Sequence, residues 1–162
     1  MNTLIRYIIL LALVITACSV EPKVMNIENT TQIINFGDQY FLTLTDKPLS
    51  ETIKPIENVH VKGQMDEWHT AKYEGALVAY YRVVPDKRNL LSRLELTSNK
   101  VNLPFGLHVG VSQATVVRAL GKPTSNKDGL LEYTFEDPYA QTVSFKINNG
   151  VVQMITWIFE ID

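Results

Sequence analysis

Ser112 and Gly121 bracket a run, Gln113-Ala114-Thr115-Val116-Val117-Arg118-Ala119-Leu120, whose options are few. The Ser112 hydroxyl can accept from a free amide of a first helical turn, as N-caps do. Val111 before the cap and Val116 in the second turn hold hydrophobic-staple positions. Gly121 can take the left-handed conformation that closes a helix, and Pro123 keeps it from restarting. The sequence therefore predicts a helix of about two turns, too short to persist alone in water. It must dock on something.

The residues that follow supply a platform. Leu131, Tyr133 and Phe135 alternate with Glu132 and Thr134, the period of a half-buried strand. Val143, Phe145 and Ile147 alternate with Thr142, Ser144 and Lys146 in the same way. Asn149-Gly150 gives a tight turn, since both residues tolerate positive φ. The return strand runs from Val151 to about Ile161, with Ile155, Trp157, Phe159 and Ile161 on one face. Packing these faces against Val116 and Leu120 contributes about 1.5–3 kcal/mol per large side chain.

The middle of the chain reads similarly. Ile33, Ile34, Tyr40, Phe41, Leu42 and Leu44 suggest one or two short strands around a Gly37-Asp38 turn. Leu49, Ile53 and Ile56 fall at i, i+4 and i+7, a helical stripe that Pro55 limits. Ala71-Lys72-Tyr73, Leu77 to Val84 and Leu90 to Thr97 are expected strands, with Leu90, Leu94 and Leu96 on one face. Leu94-Glu95-Leu96 corresponds to Ile155-Thr156-Trp157, and Tyr73 to Tyr133. The expected fold class is α+β: an antiparallel sheet with short helices on one face, built as a degenerate tandem α-β-β-β duplication. The pseudo-repeats span about 31–102 and 103–162. The rival reading is one α+β domain with halves similar by chance.

The N-terminus speaks of location. Arg6 and the amino group precede an apolar run, Tyr7 to Val14, shorter than the ~20 residues a spanning helix needs. A signal peptide over 1–17 is the expectation. Ile15-Thr16-Ala17-Cys18 resembles a bacterial lipobox, which implies diacylglyceryl attachment to the Cys18 sulfur, cleavage before it and acylation of the new amino group. A plain secretory signal with an incidental cysteine, or an uncleaved anchor, is the alternative. Cleavage would leave 145 of 162 residues, a single-domain length. The 15 basic and 17 acidic residues become 14 and 17, a net charge of −3. That mild acidity, without a basic run, argues against a nucleic-acid partner. Cys18 is the only cysteine, so no disulfide is available. Acyl chains on Cys18 would hold the protein at a membrane. In Gram-negative lipoproteins an aspartate after the cysteine commonly retains the protein in the inner membrane. Ser19 at that position implies, by resemblance, the outer membrane facing the periplasm, or the cell membrane in a Gram-positive host. Residues 18–30 read as the lipidated end and a tether, or else as a weak terminal strand, and 31–162 as one α+β domain.

The spacing Gly106-x3-Gly110-x-Ser112-x3-Val116-x3-Leu120-Gly121-x-Pro123, followed by Tyr133 and Asn149-Gly150-Val151, resembles small bacterial envelope lipoproteins. It is similar to the SmpA/OmlA outer-membrane lipoprotein family and to the related β-lactamase-inhibitor-protein-like fold. The likeness covers about the last third of the chain; the N-terminal half departs from the single-unit assembly lipoproteins. It implies either help in outer-membrane protein assembly or blockade of an enzyme by a sheet face.

No catalytic pattern is legible. His60, His69, Asp66 and Glu67 lack a metal-ligand spacing, and Asp66-Glu67-Trp68-His69 reads as a solvated loop anchored by one aromatic. Gly106-Leu107-His108-Val109-Gly110 lacks the lysine and third glycine of a phosphate loop. The expectation is a non-enzymatic protein without metal or cofactor, contacting an envelope protein partner. The alternative is a periplasmic inhibitor or immunity protein, and a hydrolase or small-ligand carrier is a third class needing a deep polar pocket. The candidate contact residues are Tyr80, Tyr81 and Trp157, aromatic side chains that bury large area at low entropy cost. Tyr80 and Tyr81 point to opposite faces of one strand, so one of them leaves the helix-covered face.

Overall fold

The computed structural model describes residues 24–44, 47–136 and 140–161. In chain order the elements are α1 (Ile27–Thr43), β1 (Ser50–Glu57), β2 (Met65–Tyr73), β3 (Ala76–Val83), β4 (Arg88–Leu96), a 3-10 turn (Pro104–Gly106), α2 (Gln113–Leu120), β5 (Ser125–Lys127), β6 (Leu130–Phe135), β7 (Gln141–Asn148) and β8 (Val151–Phe159). The strands form one antiparallel sheet in the order β1-β2-β3-β4-β8-β7-β6-β5. The fold is α+β, with both helices on one face. Ile33 and Ile34 of α1 and Val116 and Leu120 of α2 share one buried cluster with Val78, Leu94, Leu96, Leu131, Tyr133, Val143, Phe145, Ile155 and Trp157.

The helix bracketed by Ser112 and Gly121 forms over the residues expected. The Ser112 hydroxyl accepts from the Thr115 amide at 3.2 Å. Gly121 has φ +78° and ψ −155°, not the left-handed helical pair but a region open in practice only to glycine. The free carbonyls at the end of α2 are met by the start of α1. The Asn26 amide donates to Leu120 O at 2.8 Å, and Asn29 Nδ2 to Ala119 O at 2.7 Å. The Tyr133 hydroxyl adds a bond to Gly121 O at 3.1 Å. Helix ends buried without such partners would be costly.

Two expectations for the first half are reversed. The segment read as strands around Gly37-Asp38 is the single helix α1, capped by the Asn26 side chain and beginning inside the stretch read as a tether. Its buried positions, Thr30, Ile33, Ile34 and Gly37, follow the helical spacing of three and four. Gly37 is not a turn. It lies where the Trp157 indole meets the helix backbone, and the Trp157 Nε1–H donates to Ile33 O at 2.9 Å. Conversely, Leu49, Ile53 and Ile56 are not a helical stripe; Ile53 and Ile56 belong to β1, an edge strand exposed along its whole length. Proline is tolerated in edge strands and resisted inside helices, so Pro55 decides between the two.

The halves repeat, but the unit is a helix and four strands, not three, because β1 and β5 each add an edge strand. The central pairs are Leu94 with Trp157, Glu95 with Thr156 and Leu96 with Ile155. A half-turn about the Glu95–Thr156 pair exchanges Leu94 with Ile155 and Leu96 with Trp157, the correspondence read from the sequence. Tyr73 reaches Leu96 through Ala76, and Tyr133 reaches Trp157 through Val143, so the two tyrosines hold equivalent ladder positions. Each unit also carries one bulge at the same place, Ser92 in β4 and Gln153 in β8, where the register shifts. The Ser92 bulge puts Leu91, rather than Leu90, on the buried face with Leu94 and Leu96.

A Cβ on Gly37 would stand 2.6 Å from Trp157 Cδ1, inside a fully buried contact. Gly37→Ala should therefore lower stability by about 1–3 kcal/mol through overpacking, against the ~1 kcal/mol that helix preference alone would add. Urea denaturation checks this, and a stabilised variant would mean the indole does not lie on the helix. Gly121→Val should cost about 1–3 kcal/mol through its backbone conformation, read by the same titration.

Candidate functional site

Strand side chains alternate between faces, so the ladder register sorts every strand residue. One face lies under α1 and α2. No helix covers the other among the described residues, and it is the candidate surface. One row crosses it from edge to edge: Ser50, Lys72, Leu77, Glu95, Thr156, Ser144, Glu132 and Ser125. The adjoining row places Arg93 beside Ile158, flanked by Thr70 and Ala79 on one side and Thr142 and Thr134 on the other. Ile158 is 46 % exposed, a large apolar group in the middle of a polar face. Arg93 Nε donates to Glu95 Oε1 at 2.7 Å.

The three aromatics singled out in the sequence part company here. Tyr81 is on the open face, next to Trp68 and Leu90. Tyr80 is on the helix side, buried, with the Phe41 ring 5.4 Å away. Trp157 is fully buried beneath α1. The chain brings neither Tyr80 nor Trp157 to the open surface, because odd and even positions on β3 separate Tyr80 from Tyr81 and the cross-strand partner of Trp157 is the core residue Leu94. What the aromatic count missed is the Arg93–Ile158 pair. The signal for it was the alternation of Met154, Thr156 and Ile158 against Ile155, Trp157 and Phe159. Cys18 and Ser19 lie outside the described residues.

The open face is closed at one end by a polar knot. Asp66 is 1 % exposed, and it accepts from Asn58 Nδ2 at 2.6 Å, Gln64 Nε2 at 2.9 Å, the Val84 amide at 3.0 Å and the Tyr81 hydroxyl. Burial alone would raise this carboxyl, but the four donors outweigh it and hold it down at about 2. Burial, then the bond to Asp66, pushes the Tyr81 phenol up to about 12. The knot ties the β1–β2 loop to the end of β3. Beside it runs a groove of about 460 Å³ lined by Ile56, Val61, Tyr81, Val83 and Leu90.

A second cluster sits on the helix side. His69 is 1 % exposed; its Nδ1 is 2.8 Å from Glu51 Oε1 and its Nε2 2.9 Å from Glu67 Oε2. The Tyr80 ring stacks on it at 4.6 Å, and the Tyr80 hydroxyl donates to Glu51 at 3.0 Å. The contact with His69 pulls the Glu51 carboxyl down. Asp66-Glu67-Trp68-His69 is thus strand β2 and not a solvated loop: the period of two sends Asp66 and Trp68 to one face, Glu67 and His69 to the other. His60 lies apart, in the loop after β1. Among the described residues no group of three or more His, Cys, Asp or Glu is placed to hold a metal ion, and no buried side-chain polar atom lacks a partner. Both clusters join strands, and neither presents a free nucleophile or base in a pocket.

Comparison with protein-family profiles, with curated proteins and with solved structures gives no match to this chain.

The Asp66 carboxyl is held below its ordinary value of 3.8, so its contribution to stability is present above about pH 4 and is lost as pH falls toward 2. Asp66→Asn should remove that part of the acid dependence. Melting temperatures measured between pH 5 and 2 should fall less steeply for the variant than for the wild type. Parallel curves would show that the knot does not titrate.

Proposed function

We propose that this is a non-enzymatic, lipid-anchored cell-envelope protein that acts by protein–protein contact through the open sheet face. The observation that carries the reading is an eight-stranded sheet with both helices on one face and, among the described residues, no helix on the other, which is set with Arg93, Ile158, Tyr81 and Trp68. Arginine and large aromatic groups are the side chains that dominate protein interfaces. Among the described residues the buried polar groups are satisfied by their own neighbours, which supports contact over catalysis. The lipobox at Ile15-Thr16-Ala17-Cys18 supports the anchor, and Ser19 the outer membrane. Assistance in outer-membrane assembly is the role that the resemblance of the Gly106–Pro123 run implies. An acidic sheet face would favour an inhibitor or immunity protein, and the cations of this open face favour the first reading.

Metabolic labelling with a palmitate analogue should mark the wild-type protein and leave Cys18→Ala unmarked. Equal labelling of both would remove the anchor. For the contact surface, Arg93→Ala with Ile158→Ala should lower partner recovery from envelope extracts at least tenfold while leaving the melting temperature within a few degrees. Undiminished recovery would place the contact elsewhere.

A further inference from the structure

The sheet separates its charges by face. Among the described strands there are seven Lys and Arg residues, and six of them point to the open face: Lys54, Lys72, Arg88, Arg93, Lys127 and Lys146. Only Arg82 lies on the helix side. The six strand acids divide evenly, Asp66, Glu95 and Glu132 on the open face and Glu51, Glu57 and Glu67 opposite. Six cations against three acids give the open face +3, on a chain whose net charge is −2. The Arg93–Glu95 pair cancels one charge of each sign and leaves that excess unchanged. Lys54, Lys72, Lys127 and Lys146 are exposed, and none is in a salt bridge among the described residues. Two of them stand on β1 and β2 and two on β5 and β7, so they flank the Arg93–Ile158 centre on both sides. Four strand spacings of about 4.8 Å separate β2 from β7, so the two pairs stand at least roughly 19 Å apart.

We infer that the open face takes an acidic protein surface, with carboxylates meeting the lysines at both flanks and an apolar group meeting Ile158. This rests on the contact reading above and names the chemistry of the partner. Electrostatic complementarity of this kind sets partner choice and speeds encounter. A protein fits better than a lipid surface. Glu95 and Glu132 stand among the cations, which weakens the summed field a bilayer responds to, whereas a folded partner can oppose each lysine separately. The exposed apolar group is also central and not on a protruding rim.

The test uses the full chain in its native envelope with two chemistries. A benzophenone amino acid at Ile158 captures any neighbour, whatever its charge. A carbodiimide joins lysine amines to carboxylates only in direct contact. The expected result is one protein captured at Ile158, and the same protein joined by amide bonds from its Asp or Glu residues to Lys54, Lys72, Lys127 or Lys146, but not to Lys62 or Lys100. Changing the four lysines to Gln should cut the Ile158 capture at least tenfold with an unchanged melting temperature. Capture at Ile158 without carbodiimide bonds to these lysines would overturn the acidic partner and leave the contact surface standing. Capture of phospholipid, or of a second copy of this chain, would overturn it as well. No capture at Ile158 would remove the contact reading itself.

Discussion

The two halves of the sheet meet through four residue pairs, Arg93–Ile158 to Leu96–Ile155, and the Trp157 indole is what makes so short a seam hold. Each of the two strands is nine residues long, yet they pair only from Arg93, beside the Ser92 bulge, to Leu96. Trp157 bridges the shortage. It pairs with Leu94 across the seam, lies against the bare backbone of Gly37 and donates its N–H to the Ile33 carbonyl. An indole buried with its N–H unpartnered would be costly. One side chain therefore joins β8, β4 and α1, and α1 in turn receives the open carbonyl end of α2. Removing the indole would loosen both helices together with the seam.

That arrangement covers the helix side of the central strands. Once α1 crosses the seam and α2 lies on the second unit, the helix side has its cover. The opposite side then carries what a period-two strand must place somewhere: lysines, threonines, Arg93 and Ile158. Its buried members are Asp66, held in the polar knot, and the small residues Ala79, Ser144 and Thr156. The edges are managed differently. β5 is three residues long, and β1 is eight but carries Lys54 and Pro55, both of which discourage pairing with another strand. The edges are thus protected, while among the described residues no helix covers the open face.

Sequence reading went furthest where a local signal had one physical solution. Ser112, Gly121 and Pro123 leave a short helix as the only structure, and Asn149-Gly150 leaves a hairpin. The correspondence of Leu94-Glu95-Leu96 with Ile155-Thr156-Trp157 survives in the ladder itself. It failed where two periods fit the same residues. Ile33, Ile34, Tyr40 and Phe41 suit a helix as well as two strands, and Gly37 tipped the reading toward a turn. Leu49, Ile53 and Ile56 suit a helix by spacing and a strand by Pro55. Of the candidate contact residues, Tyr81 takes its face from the rows it shares with Trp68 and Leu90.

In the sequence alone lay α2, the Asn149-Gly150 hairpin, the alternation of β6, β7 and β8, and the correspondence of Leu94-Glu95-Leu96 with Ile155-Thr156-Trp157. These follow from caps, turn residues and period, which act between near neighbours along the chain. Tertiary structure alone decided which face is buried. Alternation separates two sets of side chains but does not say which set a helix will cover, and a single bulge at Ser92 exchanges them. It also decided the meaning of Gly37, because a glycine is a turn or a close contact according to what stands 2.6 Å away, and here that is an indole from 120 residues further along the chain.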